Sequence, residues 1–133
     1  MGLAACASAP PEPAGARGGP GAPAAGAPAA GAPVAATYTT EQADRGGQVF
    51  GTVCSACHGR REFTGPIFEL TWMAEPVGAL FQHISTAMPR DDPGSLTAEE
   101  YAAVVAYMLR LNGRPPGERE LPADAEALAR MRW

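Results

Sequence analysis

Cys54-Ser55-Ala56-Cys57-His58 puts two thiols and an imidazole within five residues. Cysteines three apart on a helical turn can close a redox disulfide, join a metal cluster, or add to the two vinyl groups on one edge of a porphyrin. The third chemistry also uses the histidine: the residue after the second thiol falls beneath the ring, where its imidazole can reach iron. A redox pair of thioredoxin type belongs after a strand in an α/β pattern, and no segment of this chain alternates with period two. A zinc set would have to be completed by His83, at a spacing that fits no common finger. C-x-x-C-H therefore reads as the attachment site of one covalent haem c, held by Cys54 and Cys57, with His58 as an iron ligand.

The chain available to fold around such a site is shorter than its 133 residues. Residues 1–36 hold 15 Ala, 7 Gly and 7 Pro and no aromatic residue. That composition cannot bury enough apolar surface to offset chain entropy, so it is expected to be a disordered tether. The remaining folding unit, residues 37–133, carries all nine aromatics. It divides into a core over 38–113 and a C-terminal extension over 114–133. It also carries the whole net charge of −4, as 9 Arg against 13 acids, with no basic run. Nucleic-acid binding through phosphates is not expected. The third cysteine, Cys6, ends Leu3-Ala4-Ala5-Cys6, which resembles a bacterial lipobox and so predicts lipidation of Cys6 and a membrane anchor. Only five residues precede Cys6, too few for a basic and apolar leader, so an upstream start supplying one is expected.

Helical signals organise the rest into an all-α domain. Thr39-Thr40-Glu41-Gln42 has capping-box spacing and opens a helix expected to end near Val53-Cys54, with Ala43, Gly46, Gly47 and Phe50 on one face. Residues 59–70 read as a loop, with a short helix near 67–73. Pro76 begins another helix, whose stripe is Val77, Leu80, Phe81 and Ile84, and Met88-Pro89 ends it. A second capping box at Thr97–Glu100 opens a helix with Tyr101, Val104, Val105, Met108 and Leu111 on one stripe, closed at Gly113. A last short helix is expected over 122–131.

Across residues 38–113 the chain resembles class I c-type cytochromes. Gly46 and Phe50 stand eight and four residues before Cys54, Val104-Val105-Ala106-Tyr107 follows the pattern of the C-terminal helix, and Met88-Pro89 falls where the family has its second axial ligand. The stretch from Gly78 to Gly113 is most similar to haem domains of bacterial quinoprotein dehydrogenases and respiratory complexes. The resemblance implies a small cytochrome c fold of several helices around the haem. Four side chains stand as candidates for the sixth position: Met88 first, then His83, Met73 and Met108. Met88 is favoured because it lies in a non-helical stretch between two helices, able to present its thioether to the far face of the ring.

The resemblance also implies supporting roles. The Pro66 carbonyl would accept the proximal histidine N–H, Trp72 would donate to a haem propionate, and Phe68, Leu80, Phe81 and Ile84 would line the pocket. His/Met ligation implies a raised potential and no vacant coordination site. The expected function is one-electron transfer in a periplasmic or membrane-tethered chain, not catalysis in its own right. The partners are then other redox proteins: a dehydrogenase, an oxidase or another cytochrome. The alternative is a haem enzyme or a gas or redox sensor with a labile sixth ligand.

Overall fold

The computed structural model describes residues 1–2 and 32–133. Cys6 and most of the expected tether lie outside the described residues. Helix α1 (Thr40–Thr52) starts where the Thr39 hydroxyl accepts the Gln42 N–H at 3.1 Å. The reciprocal half of the expected capping box is missing, because Gln42 is used elsewhere. Its buried amide exchanges two hydrogen bonds with the Leu121 backbone, at 2.8 and 2.7 Å. The box at Thr97 is complete, with Glu100 N–H on the Thr97 hydroxyl at 3.2 Å and Thr97 N–H on the Glu100 carboxylate at 2.8 Å. It opens α4 (Ala98–Leu111), which Asn112 and the left-handed Gly113 close.

α1 and α4 cross at Gly46. A Cβ on Gly46 would sit 1.8 Å from the Ala103 carbonyl oxygen, so only glycine permits this approach. Phe50 packs beside the crossing, its ring centroid 5.5 Å from that of Tyr107. Between these helices run a 3₁₀ turn at Cys54–Ala56, a second at Arg60–Phe63, the short α2 (Pro66–Phe68), a π-turn at Glu69–Met73, and α3 (Val77–Ala87). The loop expected over 59–70 is thus largely helical. Pro76 caps α3 rather than entering its first turn. Met88 leaves α3 in extended backbone, as the following proline requires.

The segment after residue 113 is integrated with the core. Gly117 N–H bonds the Tyr38 carbonyl at 2.7 Å, the Tyr38 hydroxyl bonds the Arg114 carbonyl, and Arg45 pairs with Glu120. α5 (Ala125–Ala129), shorter than expected, lies against α3 at Gly78, where a Cβ would meet the Ala129 nitrogen at 2.7 Å. Leu121 and Leu128 are fully buried.

A two-residue parallel ladder joins β1 (Val34–Ala35) to β2 (Met131–Arg132). Order therefore begins before Tyr38, inside the stretch expected to be tether. The ladder is made by the backbone of a short run that lacks Gly and Pro, and its partner strand lies almost a hundred residues away. Local composition carries no signal of it.

Candidate functional site

The Cys54 carbonyl shapes the centre of the site. It accepts the N–H of Cys57 at 3.2 Å and of His58 at 3.0 Å, which winds the C-x-x-C-H run into one tight turn directly after α1. Both cysteines and His58 are thereby carried on one turn. Cys54 is half-buried and Cys57 exposed, and they are not joined in a disulfide. Burial pushes the Cys54 thiol up, so it stays protonated at neutral pH. A thioredoxin-type nucleophile needs the opposite, a depressed thiol.

His58 is oriented from its Nδ1 side. That nitrogen lies 3.0 Å from Glu62 Oε2, while Glu62 Oε1 accepts the Gly59 N–H at 2.6 Å. These bonds, the one from His58 first, hold the Glu62 carboxyl below the usual carboxylate range. An ionised carboxylate can only accept, so Nδ1 is the donor in this contact and Nε2 is the nitrogen left for a metal. The His58 ring is braced edge-on by Phe63, with centroids 5.4 Å apart.

The structure puts Glu62 against His58 Nδ1, the atom that the resemblance gives to the Pro66 carbonyl. The 3₁₀ turn at Arg60–Phe63 carries residue i+4 round to the imidazole, whereas Pro66 heads α2 and its carbonyl accepts the Glu69 N–H. Reading 59–70 as a loop concealed this contact. Beside it lies a cleft of about 320 Å³ lined by Arg61, Glu62, Thr64, Pro66 and Ile67. Ile67 and Leu70 are 84% and 82% exposed, conspicuous for residues of their size.

Met88 is pinned at both ends of its peptide. Its N–H bonds the Ile84 carbonyl at 3.1 Å, and its carbonyl accepts the Tyr101 hydroxyl from α4 at 2.6 Å. The side chain is half-buried against the core. Sequence reasoning put Tyr101 on an apolar stripe and missed this bond, since periodicity reports a residue's face and not where its hydroxyl ends. Of the other candidates, Met108 is 2% exposed inside α4, Met73 is half-buried, and His83 is exposed with its ring 5.2 Å from Trp72.

Phe68, Leu80, Phe81 and Ile84 belong to a single buried cluster, with Trp72 and Met88 packed against it. Among the described residues, the buried side-chain nitrogen left without a partner is Nε1 of Trp133. It lies beside Phe68, at a ring separation of 5.6 Å, an unspent donor suited to a carboxylate such as a porphyrin propionate. Among the same residues no three or more His, Cys, Asp and Glu side chains gather as a metal cluster. Cys54, Cys57, His58 and His83 therefore do not form a zinc set.

The donors present fit a c-type haem: two unpaired thiols on one turn, an imidazole with Nε2 open, and a thioether at the end of α3. In comparison with known proteins, the family model for cytochrome c oxidase, cbb3-type, subunit III matches residues 41–108. That span runs from the start of α1 into α4 and includes Cys54, Cys57, His58 and Met88. No curated protein and no solved structure matches the chain.

Proposed function

The chain belongs to the cbb3-type cytochrome c oxidase subunit III family, and from that premise we propose that it carries electrons one at a time through a single haem bonded to Cys54 and Cys57 and ligated by His58 and Met88. Membership implies haem-based electron transfer. Bound haem supplies one Fe(III)/Fe(II) couple. The chain's own residues determine how that couple is held. Cys54 and Cys57 would hold the group through thioethers, independently of its other ligands. His58 presents Nε2 because Glu62 fixes the proton on Nδ1. Met88 presents a soft thioether, which favours Fe(II) and raises the potential. His58 and Met88 together would leave dioxygen and peroxide no place to bind, which would make the activity carriage rather than turnover.

The observation that carries this reading is the turn itself: one carbonyl gathers two thiols and an imidazole whose free nitrogen is the one a metal would take. The partners are other redox proteins, among them a terminal oxidase to which the chain contributes a subunit, a dehydrogenase or another cytochrome. The exposed Ile67 and Leu70 beside the haem turn suit a small apolar contact with such a partner. Among the described residues no helix is long and apolar enough to cross a membrane. Location outside the cytoplasm and a lipid on Cys6 complete the proposal, with the Ala/Gly/Pro stretch as a flexible tether.

Haem staining after denaturing electrophoresis tests the central claim. The wild-type band should stain, and Cys54→Ala with Cys57→Ala should abolish the stain. The oxidised wild type should show the long-wavelength band of Met–Fe(III) ligation. An unstained wild-type band refutes covalent attachment, and a high-spin spectrum refutes the His/Met pair.

A further inference from the structure

We propose that Glu62 is the electronic partner of the proximal imidazole: its carboxylate receives the His58 Nδ1–H and biases the iron that His58 ligates toward Fe(III). The inference rests on the reading of His58 as an axial ligand. It goes further by assigning the tuning to a charged side chain four residues on, where the resemblance gave only a neutral main-chain carbonyl.

The geometry is held independently of any bound group. Glu62 N–H bonds the Gly59 carbonyl at 3.0 Å and its Oε1 takes the Gly59 N–H at 2.6 Å, so the side chain is fixed against its own 3₁₀ turn. The second oxygen is thereby aimed at Nδ1, 3.0 Å away. A carboxylate there draws the proton more strongly than a carbonyl does and gives the imidazole more anionic character. A more basic Nε2 stabilises the higher oxidation state. Its side chain is 55% exposed, so water screens part of the effect. The expected bias is therefore about tenfold in the Fe(III)/Fe(II) equilibrium, roughly 59 mV for one electron.

Glu62→Gln is the decisive change. Glutamine offers one acceptor oxygen where the carboxylate offers two, so it cannot serve Gly59 and His58 together, and it removes the charge. Glu69→Gln removes the same charge from an exposed position outside this contact and serves as the control. Potentials are measured on the haem-loaded proteins, together with the ferrous-state resonance of the His58 Nδ1 proton. The expected result is a rise of about tenfold toward Fe(II) and a moved Nδ1 resonance in Glu62→Gln, with neither in Glu69→Gln. Equal potential shifts in both variants, or an unmoved resonance, overturn the proposal and leave Glu62 as a cap of the turn. If the wild type lacks covalent low-spin haem, the parent reading has failed, and this inference fails with it. The stain and spectrum of the unmodified protein separate that outcome from the others.

Discussion

Gly46→Ala tests the helix crossing that supports the haem turn. The added Cβ would lie 1.8 Å from the Ala103 oxygen, 2.3 Å from its carbon and 2.9 Å from the Val104 nitrogen. All three atoms are backbone of α4, so no side chain can swing aside. Restoring an ordinary contact separates the helices by about 1.5 Å, and gaps of roughly 0.5–1 Å already forfeit a quarter to a half of the local dispersion energy. Overpacking of this kind costs about 1–3 kcal/mol or more, and the rigid neighbour puts Gly46 at the upper end. Alanine returns about 1 kcal/mol through helix propensity, for a net loss of about 2–3 kcal/mol. In a domain of this size that is a fall of about 10–20 °C in Tm. Gly51→Ala, in the same helix with nothing within 4 Å of the added atom, should instead be neutral or stabilising by up to about 1 kcal/mol. Urea and thermal unfolding of the haem-loaded variants, followed by far-UV circular dichroism, provide the comparison. A Gly46→Ala midpoint at or above that of Gly51→Ala refutes the crossing.

Met88→Ala should keep the stain but lose the Met–Fe(III) band and lower the potential; an unchanged spectrum moves the ligand to His83. Tyr101→Phe removes the bond to the Met88 carbonyl, should cost about 1 kcal/mol and should make the Met88 band more easily lost on warming; identical melting of band and fold in both proteins would contradict it. Burial pushes the Tyr38 phenol above 10.0, with Arg110 opposing, so its contribution is intact below pH 10 and is lost as pH rises through the folded value. The chain has no Lys to titrate there, so Tyr38→Phe should flatten the alkaline limb of a stability–pH curve, and an unaltered limb would contradict the assignment. In cells expressing the full reading frame, Cys6→Ser should release haem protein from the membrane fraction, and equal release of both forms at high salt would exclude a lipid anchor.

What the sequence made legible follows from the range of each signal. Thr39 and Thr97 act on residues three positions away, so both helix starts were readable. The stripes of α3 and α4 and the glycine at the crossing were readable for the same reason. Gln42 fitted the same local rule, yet its amide is taken by Leu121, 79 positions on in the chain. The β1–β2 ladder and the docking of α5 on Gly78 are likewise long-range and lack a periodic mark. At the site, C-x-x-C-H and Met88 were visible as residue types at a spacing. Glu62 was not, because its role depends on a 3₁₀ turn in a stretch rich in loop signals. Phe68, Leu80, Phe81 and Ile84 show a further limit: lining a pocket and filling a core use the same side chains at the same period.

The segment beyond residue 108, outside the family match, bears on how the proposed donors His58 and Met88 would be held. Cys54 and His58 follow α1, while Met88 follows α3, so the two sides of the site depend on different helices. α4 connects to both, through Gly46 on α1 and through the Tyr101 hydroxyl on the Met88 carbonyl. The C-terminal extension joins them a second time. Leu121 grips α1 through the paired Gln42 bonds, α5 packs on α3 at Gly78, and Trp133 lies against Phe68. A donor pair serving both oxidation states without moving would need each side chain held to about half an ångström by its surroundings. Two independent braces between the helices would meet that need better than one, and the burial of Leu121 and Leu128 is part of the second brace.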